Sequence, residues 1–306
     1  MMESNGRPMA RSRRIPPRVR DRDVARVLVV TLGLNAFVAV LKLLFGALSG
    51  ALSMVADGFH SLLDASSNVV GLIGLRISRK APDADHPYGH RKFEALASLA
   101  IALFLFLACY EILTEVWSRF RQRPDMDPGP VAFLVMVLTM GVNVLVTRYE
   151  SREGRRLSSM ILLADAKHTR SDVFASLAVL VSLAAGALEF PVLDLVVAIA
   201  IAGFIAYSGY SVVASASAVL ADAQVVDPAE VVALVTGVDG ILHAHRVRSR
   251  GLADDVHVDL HIHVRPDMTV QEAHDLAHRA SDTIKERIEG VTDVVVHVEP
   301  EGTHEG

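Results

Sequence analysis

Six apolar runs, at about residues 25–48, 52–76, 93–117, 129–149, 161–187 and 192–215, constrain this chain more than any other feature. Crossing a bilayer core of roughly 30 Å takes about 20 apolar residues in a helix. Each run reaches that length, so the sequence predicts six membrane spans. The first two are separated only by "GALSGALS", a tight turn. The chain divides accordingly. Residues 1–23 form a basic tail, 24–220 a six-helix membrane domain, and 221–306 read as soluble protein. With 51% hydrophobic residues, the whole is too apolar for a soluble domain carrying 21% charged residues.

Composition excludes several classes. The net charge of -5 averages over unlike parts, and the Arg cluster adjoins a hydrophobic segment. A nucleic-acid partner therefore has no support. Cys109 is the only cysteine and lies in an apolar run, so neither a disulfide framework nor a cysteine-based zinc site can form. The Arg-rich N-terminus is too long for a secretory signal, and the apolar segment after it lacks a convincing cleavage site.

Basic residues set the expected topology. The tail carries Arg7, Arg11, Arg13, Arg14, Arg18, Arg20 and Arg22. The loop between spans two and three adds Arg76, Arg79, Lys80, Arg91 and Lys92. The loop between spans four and five adds Arg148, Arg152, Arg155 and Arg156. The other side has Arg119, Arg121 and Arg123, diluted by Asp125 and Asp127, and the turn "EFPVLD" has no basic residue. Both termini are expected in the cytoplasm. The compact design and lack of a sorting signal fit a prokaryotic inner membrane.

Charges inside the spans point to function, because ionisable groups at membrane depth are costly and usually mark an ion or proton path. Span two carries Asp57, His60 and Asp64 within "ADGFHSLLDASSN". Span five carries Lys167, His168, Arg170 and Asp172 within "ADAKHTRSDVF". His60 and Asp64 are four apart, as are His168 and Asp172, so each pair stacks on one helix face. Two imidazoles and two carboxylates supply four ligands, which suits tetrahedral zinc, and the carboxylates cancel a dication's charge. A His–Asp ion pair tying helices together is the blander account. Asp57 and Asp165 read as helix-entry residues or partners of the ligands. Lys42 in span one is expected to snorkel toward an interface.

Two further clusters are polar. The loop "APDADHPYGHRKFE" offers Asp83, Asp85, His86, His90 and Glu94. Asp83, His86 and His90 could bind a second cation, or the loop is simply solvated and caps a helix. In the C-terminal part, "DPAEVVALVTGV" reads as a short helix begun by Asp227 and Pro228. "HAHRVRSR", "DDVHVDLHIHV" and "VTDVVVHVEP" read as strands, and "TVQEAHDLAHRASDTIKERIEG" as an amphipathic helix. The order αββαβ is a small ferredoxin-like α+β domain. Its histidines are many, and His257, His261 and His263 share one strand face.

The six spans, the paired HxxxD motifs, "DHPYGHRKFE" and the αββαβ tail together resemble the cation diffusion facilitator family, over about residues 20–300. The resemblance implies a homodimeric exporter of divalent metals that exchanges metal for protons. It implies a transport site of His60, Asp64, His168 and Asp172, and HxxxD in both motifs resembles the zinc branch. It implies a loop site at Asp83, His86 and His90. It implies a cytoplasmic site at His245, His261, His297 and Glu299, with His274 as a bridging candidate. Lys92 and Asp222 match a pair that interlocks protomers at the membrane surface. The ion implied is Zn2+, carried as cargo and, in the cytoplasmic domain, a structural or regulatory ligand. The partners implied are a second copy of the chain, the bilayer, divalent metal ions and protons. Other readings remain. A metal sensor or scaffold would bind without moving the ion. Cadmium, cobalt, nickel, iron(II) or manganese could replace zinc. An enzyme is disfavoured, because four protein ligands close the coordination sphere and no HExxH occurs.

Overall fold

A computed structural model describes residues 17–49, 52–122, 129–187 and 191–302. Arg7, Arg11, Arg13 and Arg14 of the tail lie outside the described residues, as do the side chains of Arg119, Arg121, Arg123, Asp125 and Asp127.

Six long helices come first: α1 (Pro17–Ser49), α2 (Leu52–Ser78), α3 (Phe93–Gln122), α4 (Gly129–Arg156), α5 (Met160–Ala187) and α6 (Pro191–Leu220). Proline opens α1 and α6, where a fixed φ and a missing N–H cost nothing. The helices overshoot the expected spans, since α1 starts at Pro17 and α4 continues to Arg156. The hydrogen-bonded ladder does not stop where the hydrocarbon does. Among the described residues, four segments are long and apolar enough to cross a bilayer by themselves: Val19–Phe45, Phe93–Thr114, Phe133–Arg156 and Ile199–Leu220. Helix α5 carries the charged residues Asp165, Lys167, Arg170 and Asp172.

In the bundle α1 lies on α2, α3 on α6 and α4 on α5, while α5 also meets α2, α3 and α6. The shared core is Leu28, Leu75, Ile101, Leu105, Ile161 and Ile205. Phe37, Leu103 and Leu145 point outward, as side chains solvated by lipid do. At Gly74 a Cβ would collide with the Ala97 methyl, so glycine is what lets α2 approach α3.

The C-terminal domain follows as α7 (Pro228–Val235), β1 (His243–Leu252), β2 (Asp255–Val264), α8 (Val270–Arg287) and β3 (Val291–Pro300). This is the expected αββαβ order. The sheet runs β1-β2-β3, with β1 and β2 antiparallel and β2 and β3 parallel. The parallel step needs a crossover, which α8 provides. Asp227 caps α7 by accepting from the Ala229 N–H at 3.0 Å. Thr269 and Glu272 close a reciprocal capping box at the start of α8. Strand β2 turns Val256, Val258, Leu260 and Ile262 toward Leu276, Ala280 and Ile284 of α8. Period-two alternation then sends His257, Asp259, His261 and His263 to the opposite face.

A buried ion network joins the parts. Arg20 of α1 is 2% exposed and Glu94 of α3 is fully buried. Arg20 donates to both Glu94 oxygens at 3.0 and 3.1 Å. It also donates to the Leu157 and Ser158 carbonyls in the α4–α5 turn, at 2.8 and 3.1 Å. Its Nε lies 2.9 Å from Asp254 in the β1–β2 turn, and Arg91 reaches the same Asp254 oxygen at 2.7 Å. Glu94 accepts in addition from the Ser159 hydroxyl and the Met160 N–H, which start α5. Burial pushes the Asp254 carboxyl up, while Arg20 and Arg91 pull it back down.

Two stability predictions follow from these contacts. Arg20→Met leaves Glu94 buried with only Arg91 for a cation, at 3.7 Å. It should cost about 3 kcal/mol, read as a lower melting temperature of the detergent-solubilised protein. Thr269→Ala should loosen the first turn of α8 by about 1 kcal/mol, read as faster amide hydrogen exchange confined to that turn.

Candidate metal sites

In α5, His168 is buried and Asp172 follows one turn later, half-buried. The His168 ring lies 5.8 Å from that of Phe104. Helix α2 packs on α5, which places the two HxxxD segments on neighbouring helices. The side chains of His60, Asp64 and Asp57 lie outside the described residues. Asp165 is fully buried and accepts from the Ser67 hydroxyl at 2.7 Å and from the Asn68 amide, both on α2. It therefore helps lock α2 to α5. Lys42 does not snorkel: it is buried and donates to Ser61 at 2.9 Å. A hydroxyl on the adjacent helix meets the ammonium inside the bundle.

The loop between α2 and α3 brings Asp83, His86 and His90 together, with their ligand atoms within 4.8 Å of one another. Gly89 makes this possible at φ +84, a conformation other residues avoid. The Asp83 oxygens sit 3.3 Å from His86 Nδ1 and 3.4 Å from His90 Nε2. The backbone N–H of His86 donates to Asp83 and holds its carboxyl below the usual carboxylate range. Glu94 is not part of this group, because Arg20, Ser159 and Met160 already occupy its oxygens. The loop rests on the C-terminal sheet, with Arg250 5.1 Å over the Tyr88 ring.

The polar face of the sheet gathers the third group. The register aligns His261 with His245 on one side and with His297 on the other. It aligns His263 with Glu299. Two ligand triads result, His245–His263–Glu299 and His261–His297–Glu299, each within 4.8 Å. Glu299 belongs to both. Its Oε1 lies 2.7 Å from His261 Nδ1, and its Oε2 lies 3.2 Å from His245 Nε2 and 3.2 Å from His263 Nε2. The hydrogen bond from His261, then that from His245, holds the Glu299 carboxyl below its ordinary range. Such a carboxylate stays ionised as pH falls and so remains available to a cation.

The outcome differs from the sequence expectation at two histidines. His263 joins the cluster, although only the strand alternation pointed to it. His274 stays out of both triads: it is exposed on α8, with its ring 4.4 Å from that of His278. Helix α8 covers the apolar face, so one chain cannot bring His274 to the opposite one. Lys92 and Asp222 meet within a single chain, at 2.7 Å.

Comparison with known proteins fits these features. The sequence pattern of the cation efflux transmembrane domain matches residues 28–221, and that of the cation efflux protein cytoplasmic domain matches 225–301. The chain belongs to the cation efflux family, the cation diffusion facilitators. An uncharacterized transporter of Methanocaldococcus jannaschii is 30% identical over 282 residues, covering 91% of this chain and 99% of that protein. The manganese efflux system protein MneS of Bacillus subtilis is 29% identical over 277 residues, covering 89% and 94%. The cation-efflux pump FieF of Salmonella agona is 27% identical over 283 residues, covering 90% and 93%. As a cation efflux protein the chain is a multi-pass membrane protein with a small cytoplasmic α+β domain, and divalent metal efflux is its activity.

The shared carboxylate gives a direct test. Glu299→Ala should remove one ligand from each triad and weaken divalent-cation binding by the purified protein at both. His263→Ala should weaken it at one triad only, because the second keeps its three ligands. Isothermal titration calorimetry of the three proteins checks both.

Proposed function

We propose that this protein is a zinc/proton antiporter that removes Zn2+ from the cytoplasm by alternating access. The transport site is His60 and Asp64 on α2 with His168 and Asp172 on α5. The observation that carries this reading is the burial of His168 in a helix that packs on α2, with Asp172 one turn beyond it. Two histidines and two carboxylates favour zinc over magnesium or calcium, which prefer oxygen shells.

Facing the cytoplasm, neutral imidazoles and ionised carboxylates bind the metal. Facing outward, protons compete for the same atoms, since a ligand must lose its proton to coordinate. An inward proton gradient thereby drives metal out. The basic loops and tail support both termini lying in the cytoplasm, and the compact design supports a prokaryotic inner membrane. The active unit is a homodimer with two-fold symmetry, and metal on the cytoplasmic sheet and at Asp83, His86 and His90 regulates its closure. Domain limits follow the sequence division at residues 23 and 220.

Zinc uptake into proteoliposomes under an imposed pH gradient tests the reading. Wild type should accumulate zinc only with the gradient, and Asp64→Ala and Asp172→Ala should each abolish uptake. Wild type that binds zinc without flux would make the protein a sensor or scaffold. Flux that survives both substitutions would move the site elsewhere. Preference for manganese in the same assay would replace zinc as the cargo.

A further inference from the structure

Helices α4 and α5 bury two carboxyl groups against each other. Glu150 of α4 and Asp165 of α5 are both fully buried. The Thr169 hydroxyl reaches Glu150 Oε2 at 3.3 Å and the Asp165 backbone carbonyl at 3.2 Å, so Glu150 meets α5 at the turn that carries Asp165. Two carboxylates brought this close out of water repel each other, which favours a proton on one of them.

The surroundings supply no cation to replace that proton. From α1, Thr31 faces Glu150. From α2, Ser67 and Asn68 donate to Asp165, and Asn68 is in turn held by Asn35 and Thr31. From α5, the Thr169 hydroxyl donates to Glu150 Oε2 at 3.3 Å. Each of these partners is neutral. Among the described residues no lysine or arginine pairs with either carboxyl; Lys167 instead donates to Ser211 on α6 and Arg170 lies over Phe204 there. Among the described residues, His168 on the same helix also acts on Asp165. Glu150 Oε1 is buried and receives no donor from the protein. Two like charges in such a place cannot both persist. One bound proton satisfies the orphaned oxygen and removes the repulsion together.

We infer that Glu150 and Asp165 form a proton-binding site in the membrane domain, separate from the four residues proposed to hold the metal. The pair takes up and releases its proton as a unit. Asp165 precedes His168 by three residues, or roughly 4.5 Å of helix rise. A dication arriving at His168 therefore raises the positive potential at the pair and expels the proton toward the cytoplasmic end of α4. Nothing else is exchanged: one O–H bond breaks and water accepts the proton. This use of the site rests on the antiport reading above, whereas its existence does not.

Infrared difference spectroscopy and proton counting test it on the purified full-length protein. The metal-free wild type at neutral pH should show the carbonyl stretch of a protonated carboxyl group, and zinc should remove it. Glu150→Gln should lack that band, bind zinc with unchanged stoichiometry, and release about one proton fewer per transport site, measured with an indicator dye. Asp165→Asn should do the same if Glu150→Gln does not fold. A wild type without the band, or variants with the band and proton count intact, overturns the site. A band that zinc leaves untouched overturns its role in exchange and leaves a structural proton. Presence of the band together with no gradient-driven uptake sinks the antiport reading alone.

Discussion

The buried pair of Arg20 and Glu94 is the contact on which the arrangement of parts depends. A guanidinium and a carboxylate removed from water gain little net energy from each other. They do impose an arrangement, because every competing geometry leaves a charge unpaired in a low-dielectric place. Arg20 fixes the start of α1 against α3, against the turn between α4 and α5, and against Asp254 of the cytoplasmic sheet. Glu94 fixes the start of α5 through Ser159 and Met160. One ion network thus sets where α5 begins, and with it the height of His168 in the membrane. It also ties the sheet bearing the histidine cluster to the helices bearing the HxxxD pairs.

Helix α5 sorts its charges by direction. Asp165 turns toward α2 and α4, while Lys167 and Arg170 turn toward α6. Successive residues on a helix are about 100° apart, so charges two and five positions on leave the face that Asp165 occupies. The separation keeps both cations away from the Glu150–Asp165 pair. It leaves that pair to be neutralised by a proton rather than by a salt bridge. On the reading proposed above, metal and proton would take distinct seats on one helix, close enough for one to feel the charge of the other.

Much of this was legible in the chain. The six long helices, the αββαβ order and the Asp227 cap all follow from local patterns, and the structure carries them. The loop triad was legible too, since Asp83, His86 and His90 lie within eight residues and Gly89 supplies the turn. His263 had a signal in its alternation with His261. Glu94 did not: it sits in a ligand-rich loop sequence, and only the fold delivers Arg20 to it from 74 residues away. Glu150 was equally hidden, because in "RYESREGRR" it looks like one more charge at a helix end.

By itself the sequence determined what depends on neighbours along the chain: hydrophobic length, helix and strand period, capping, and the HxxxD spacing that stacks His on Asp. The tertiary structure alone decided which distant groups share a site. It put Glu299 between two histidine pairs, set His274 behind the sheet, joined Lys92 to Asp222 within one chain, and faced Glu150 with Asp165. The reason is physical. Periodicity fixes the direction of a side chain relative to its own element, while the partner it meets depends on how elements pack. In a membrane that packing is set by close contacts such as Gly74 on Ala97 and by the need to pair each buried charge.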